Sequence, residues 1–163
     1  MPPIYLDHNA STPLDPAVAD EMGGLLRTAF GNPSSDHWAG RPAREVVDTA
    51  RARTAALLGC DPAEIVFTSS GSEANNHVLK GIFFAARRRG LEHPHFVTTA
   101  VEHPAILEPL RFLVGLGAEV TLVSVDGYGR VDPGAVARAL RPETILVSVM
   151  HANNEVGTLQ PVA

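Results

Sequence analysis

Three short polar runs in this sequence hold the residue types that chemistry uses. The first, Ser69-Ser70-Gly71-Ser72, follows the apolar and β-branched run Ile65-Val66-Phe67-Thr68 and leads into a helical pattern. A strand that passes through a Ser/Gly turn into a helix leaves several backbone N–H groups without intrahelical partners, all pointing one way. The helix dipole adds positive potential there, and the hydroxyls of Ser69, Ser70 and Ser72 add donors, so the turn suits a phosphate. It is not a P-loop, because no Lys-Ser/Thr pair closes it, and it lacks the G-x-G-x-x-G dinucleotide fingerprint. The second run is Glu102-His103-Pro104, whose imidazole can move a proton near neutral pH. The third is His151-Ala152-Asn153-Asn154-Glu155-Val156-Gly157.

These runs need elements to position them. Ile65 to Thr68 reads as a short buried strand, and the helix after it carries Val78, Leu79, Ile82, Phe83 and Ala86 to a stop at Gly90. Strands are expected over 95–100, 120–125 and 145–150. A helix opens at Pro104 and ends by Gly117, and a short one opens at Asp132-Pro133 and runs to about Leu140. Upstream, Asp15-Pro16 supplies a cap and a proline at the first helical position for a helix with Val18, Met22, Leu25 and Leu26 on its apolar face. A loop of turn formers covers 31–40, and a helix over 42–58 turns Val46, Val47, Ala50, Leu57 and Leu58 inward. Asp61-Pro62 repeats the cap-then-proline signal. Strands alternating with helices at this spacing predict an α/β fold with a mostly parallel sheet, buried on both faces and flanked by helices. In such sheets ligands bind beyond the carboxyl ends of the strands. All three polar runs fall at strand ends, so they can converge on one crevice.

Composition narrows the field. The 163 residues suit one domain, and 45% hydrophobic content can build a core. With 13 basic against 18 acidic residues, neither nucleic acid nor an anionic membrane is the expected partner. No run approaches a membrane span or the apolar core of a signal peptide. A single cysteine, Cys60, leaves no internal disulfide and points to a reducing cytoplasm. Cys60 follows a helix end and reads as a small, half-buried thiol. His93 and His95 form an H-x-H pair with no third ligand in view, so no metal site is expected. His37 belongs with its loop.

Five ordered stretches resemble one known family. They are Tyr5-Leu6-Asp7-His8-Asn9-Ala10-Ser11-Thr12-Pro13, Gly31-Asn32-Pro33-Ser34-Ser35-Asp36-His37, Phe67-Thr68-Ser69-Ser70-Gly71-Ser72-Glu73-Ala74-Asn75-Asn76, Glu102-His103-Pro104-Ala105-Ile106, and Met150 through Gly157. Together they are similar to the NifS/IscS-type cysteine desulfurases, pyridoxal-phosphate enzymes of the class V aminotransferase group. The resemblance implies that the chain, over 1–163, is the amino-terminal segment and the first part of the large domain of a fold-type I pyridoxal-phosphate transferase. It implies that Gly71 and Ser72 hold the phosphate of pyridoxal 5'-phosphate and that His103 stacks on its ring and serves as acid/base. Asn154 would bond the 3'-oxygen or the substrate carboxylate region, and Asn32 would lie near the substrate. Family members often have Thr at the position of Ser72; the hydroxyl is kept. The implied reaction converts L-cysteine to alanine and leaves the sulfur as a persulfide for iron–sulfur assembly or thiolation. A cytoplasmic homodimer and a sulfur-acceptor protein are the implied setting.

The family also needs a lysine that forms a Schiff base with the cofactor. The only lysine is Lys80, eight residues beyond Ser72 on the same helix and so about 12 Å along its axis. The Schiff-base lysine, the aspartate at the pyridine nitrogen, the catalytic cysteine and the substrate-binding arginine belong to family sequence beyond Ala163. A carboxy-terminal half or second chain is therefore expected to complete the site. Two alternatives stand: a non-catalytic interaction or phosphate-ligand module derived from that fold, and a selenocysteine lyase or other class V member.

Overall fold

The computed structural model describes residues 3–162; Met1, Pro2 and Ala163, the ends of the expected 1–163 segment, lie outside them. The chain divides between Phe67 and Thr68 into two units.

In the first unit, helix α1 (Pro16–Thr28) starts where the cap-then-proline signal predicts, with Asp15 accepting from Ala17 N at 2.8 Å. It buries none of its residues and Leu26 is 80% exposed, although Leu25 is half-buried and Met22, Leu25 and Leu26 line a groove with Ala43, Val46 and Val47. Helix α2 (Gly40–Leu58) begins two residues before the expected start. Gly31 and Gly40 close the loop between them. A Cβ on Gly31 would stand 1.8 Å from the Ala39 oxygen and one on Gly40 2.3 Å from the Ser35 oxygen, so the chain crosses itself only without side chains there. Arg44 ties this loop to α2, donating to Pro33 O and pairing with Asp36.

The inward stripe of α2 differs from expectation. Ala43 and Ala55 are buried and Val46, Val47 and Arg51 half-buried, whereas Ala50, Leu57 and Leu58 are exposed. Residues 43, 47, 51 and 55 form a ridge of four-residue steps, and the leucines fall beside it. Arg51 reaches from that ridge to Ile65 O and lies 5.1 Å over the Phe67 ring. Asp61-Pro62 caps one turn of 3-10 helix (Pro62–Glu64) through a reciprocal box in which Ala63 N donates to Asp61 and Asp61 N to Glu64. The stretch 65–68 is not the buried strand expected. It carries no strand pairing, and Val66 and Phe67 are 61% and 51% exposed. β-branched composition makes a segment extended, but a ladder needs a neighbouring strand to accept it.

The second unit holds the sheet. Helix α3 (Gly71–Arg88), strand β1 (His95–Thr99), α4 (Pro104–Val114), β2 (Glu119–Val123), α5 (Pro133–Ala139) and β3 (Thr144–Ser148) follow in order. The three strands are parallel in the order β2-β1-β3. Every residue of the central strand is buried. Phe96 packs on one side with Leu79 and Phe83 of α3 and Ile106, Leu110 and Leu113 of α4. Val97 packs on the other with Val123 and Val131, next to Ala135, Val136 and Ala139 around α5. The alternation of Cβ direction along a strand sends these neighbours to opposite faces. Burial on both faces holds for β1 alone, since β2 and β3 are half-buried and Leu122 and Val147 remain exposed. His95 is buried, and its two ring nitrogens meet the hydroxyls of Thr144 at 2.8 Å and Thr121 at 2.9 Å. Burial, with the Arg141 charge behind it, pushes the His95 pKa down. Cys60 is half-buried, as expected. Among the described residues no helix is long and apolar enough to cross a membrane.

Candidate functional site

Parallel strands bring the second and third polar runs to one end of the sheet. The first sits at the start of α3. Ser70 is the helix cap, and its hydroxyl accepts from Glu73 N at 3.2 Å while its carbonyl accepts from Ala74 N at 3.0 Å. The first bond satisfies the Glu73 amide, the third N–H of the helix, and the second is the helix's first regular i→i−4 bond. The first two N–H groups, the amides of Gly71 and Ser72, have no acceptor among the described residues, and both residues are exposed. A Cβ on Gly71 would meet nothing within 4 Å. The turn is therefore open at the amides that the sequence singles out.

Two donors of the turn are already taken. Glu73 Oε2 accepts from Ser69 N at 2.6 Å and from the Ser69 hydroxyl at 2.7 Å. That hydroxyl, followed by the amide, holds the Glu73 carboxyl below its ordinary pKa. An intramolecular carboxylate thus occupies the Ser69 donors of the cup, while the Gly71 and Ser72 amides stay open.

The second and third runs line one cleft of about 310 Å³, formed by residues 100–104 and 153–156 with His103 and Asn154 among them. Glu102, buried behind His103, makes the join: its Oε1 accepts from Met150 N at 2.6 Å and from the Thr99 hydroxyl at 3.5 Å. Burial raises the Glu102 pKa, against the bonds from Met150 and Thr99. Asn153 Nδ2 donates to Val101 O at 3.2 Å, a second tie between the two loops. Asn153, not Asn154, forms the turn, because its Oδ1 accepts from Glu155 N and Val156 N. Asn154 is left exposed next to it. Buried Gln160 holds the returning chain, accepting from Val131 N and donating to Gly129 O.

His103 is the cap of α4, with Nδ1 accepting from Ala105 N at 3.0 Å, and its ring is exposed. The α3 turn approaches the same end of the sheet: Asn75, in the first turns of α3, lines a neighbouring groove with Ser148 and Val149 at the carboxyl end of β3. Gly71 and Ser72 do not line the His103 cleft itself. Asn32 belongs to the first unit, where it is exposed and its side-chain oxygen accepts from Ser34 N at 2.8 Å. The His37 ring accepts from Ala39 N, an architectural bond within its loop. Lys80 is turned away from the polar runs, its Nζ 5.0 Å over the ring of Phe112 on α4.

Glu102, Asn153 and Gln160 escape a reading for chemistry, since each acts through another segment. Only the Glu-His pair at a strand end hinted at Glu102. The residues present suit a phosphorylated, flat cofactor: two unpartnered amides at the dipole of an 18-residue helix for the dianion, and an exposed imidazole for the ring.

Comparison with known proteins agrees with this geometry. The profile described as aminotransferase class-V matches residues 4–163. The chain is 47% identical over 159 residues to a cysteine desulfurase IscS of Dictyoglomus turgidum, covering 98% of this chain and 40% of that protein. It is 46% identical over 162 residues to a putative cysteine desulfurase IscS 1 of Bacillus subtilis, covering 99% and 42%. Among solved structures, a NifS-like protein superposes with a TM-score of 0.88 at 40% identity, over 94% of this chain and 42% of the other. SspA in complex with cysteine does so with a TM-score of 0.88 at 37% identity, over 96% and 44%. The chain spans about two-fifths of the length of these relatives. The α/β architecture is part of the NifS/IscS fold-type I fold, as the five motifs implied.

Proposed function

Because the chain belongs to the aminotransferase class-V family, we propose that it forms the phosphate-holding portion of a pyridoxal-phosphate cysteine desulfurase. The observation that carries the reading is the pair of open amides at Gly71 and Ser72, at the positive end of α3. They and the Ser72 hydroxyl would hold the cofactor phosphate, His103 would cover its ring, and Asn154 would reach its 3'-oxygen or the substrate carboxylate. When bound, the cofactor supplies an electron sink for the bond broken at the substrate α-carbon. The residues of this chain bind, orient and shield. The α3 amides fix the anion, the ring of His103 excludes water from one face, and Glu102 keeps the His103 and Asn154 loops in register through Met150 N. Asn32 is proposed to act near the substrate, as the resemblance implies.

The overall reaction balances as L-cysteine plus a thiol giving L-alanine plus a persulfide, with the sulfur bound for iron–sulfur assembly or thiolation. The thiol and the Schiff-base lysine would come from a carboxy-terminal portion or a second chain, since Lys80 is held against Phe112. A cytoplasmic homodimer that passes sulfur to an acceptor protein is part of the same proposal. That held lysine also favours a second reading, a phosphate-ligand module without catalysis.

Binding to the chain itself tests the cup. Pyridoxal phosphate should bind reversibly and be displaced by inorganic phosphate. Ser72→Asp, which places a carboxylate on the amides, should weaken binding by about tenfold or more, as expected when a charged ligand meets a like charge (about 1.4 kcal/mol per decade). Equal affinity in the variant would remove the cup from the site. Joined to the missing portion, the protein should release alanine from L-cysteine; binding without alanine would favour the module.

A further inference from the structure

The hydrogen bond that caps α4 also fixes a proton. Nδ1 of His103 accepts from Ala105 N at 3.0 Å, and a ring nitrogen that accepts carries no hydrogen, so the neutral imidazole must hold its proton on Nε2. Nε2 has no partner among the described residues, and the ring is exposed on the cleft that Asn153, Asn154 and Glu155 line from the other side. We infer that the Ala105 amide is a positioning group that holds His103 in the Nε2–H form, so that the ring offers the cleft a hydrogen-bond donor.

While Nδ1 is occupied by the Ala105 N–H, the ring donates from Nε2 and can cover a flat ligand. The same bond ties the ring to the first turn of α4, whose buried Ile106 follows the cap by three residues. The inference rests on the proposed cofactor site only for what fills the cleft; the tautomer stands without it.

Histidine-labelled full chain, observed by long-range proton–nitrogen NMR at an alkaline pH where imidazoles are neutral, reads the tautomer directly. His103 should show the pure Nε2–H pattern, with exposed His151, whose ring makes no hydrogen bond among the described residues, giving a mixed pattern. Ala105→Pro removes the donor at a first-turn position that tolerates proline, and should move His103 to the mixed pattern. An Nδ1–H pattern in the unaltered chain, or an unchanged pattern in the variant, overturns the inference. Should the variant not fold, the unaltered chain still decides, because its own tautomer pattern is read without the variant. Adding pyridoxal phosphate should shift the His103 signals; if they stay put while the tautomer is as stated, the cofactor site fails and the cap does not.

Discussion

The two units of the chain differ in what they bury. Before Thr68 the buried positions among the described residues are Gly40, Ala43 and Ala55, all small. After Phe67 two apolar clusters close around β1, and five polar residues, His95, Thr98, Thr99, Glu102 and Gln160, are buried with partners. The first unit is shaped by local bonds: the Asp15 cap, the Arg44 tie to the 33–36 loop, the Asp61–Glu64 box and the Arg51 reach to Ile65. Such bonds specify a path for the backbone but each contributes only about 1 kcal/mol. The second unit adds burial, which is where most folding free energy comes from. Motifs can therefore be equally clear in two stretches while only one builds the core that holds a site rigid.

Truncating a core ring is the strongest way to test that contrast. Phe83→Ala removes a fully buried side chain from the α3–α4–β1 cluster and should cost about 3–5 kcal/mol in urea unfolding followed by circular dichroism. Leu57→Ala, at a side chain 85% exposed, should stay within about 0.5 kcal/mol. Similar losses for the two would mean that the first unit has a core of its own, and the comparison would break.

A smaller effect separates the units by cooperativity. Asp132 accepts from Gly134 N and Ala135 N at the start of α5, as Asp15 does at α1. Replacing either with alanine should cost about 1 kcal/mol. For Asp132→Ala the loss should appear in the global transition, because α5 packs on the Val97 side of the sheet. For Asp15→Ala it should appear as faster amide exchange within α1 alone, with the β1 amides unmoved. Faster exchange in β1 would show that α1 shares the core's cooperativity.

The cap-then-proline pairs at Asp15, Asp61 and Asp132 could be read from sequence, and so could the three strands, expected over 95–100, 120–125 and 145–150 and found at 95–99, 119–123 and 144–148, because each depends on a few adjacent residues. The second and third polar runs were legible at strand ends for the same reason, whereas the first follows no strand. Facing was not. Leu57 and Leu58 satisfy a helical period as well as Ala43 and Ala55 do, and only tertiary contact chooses between them. The run 65–68 has strand composition without a strand neighbour. Within the site, the residues that would touch a ligand announced themselves by type, while the bonds that aim them did not. Glu73 turning back on Ser69, Glu102 reaching across 48 residues to Met150, and His103 used as a cap are facts of packing.

Glu102 sharpens the comparison further, because the first unit buries no titratable side chain among its described residues. Burial raises the folded-state pKa of Glu102 above its ordinary value of 4.5, so the folded chain binds this proton more tightly than the unfolded chain. The group then stabilises the fold fully only below 4.5, and that contribution is lost as pH rises through the raised value. Glu102→Gln keeps an acceptor for Met150 N without the charge. Between acidic and neutral pH, unfolding free energy of the unaltered chain should therefore fall relative to the variant, the gap opening above 4.5 and levelling once Glu102 is ionised. Other carboxyls, such as Asp126 and Asp132 with pKa values held down by backbone donors, tilt both curves the opposite way and cancel in the difference. Parallel curves would mean that the ionised carboxylate is as well served by Met150 N and Thr99 as by water, and the join between the His103 and Asn154 loops would be neutral to its own charge.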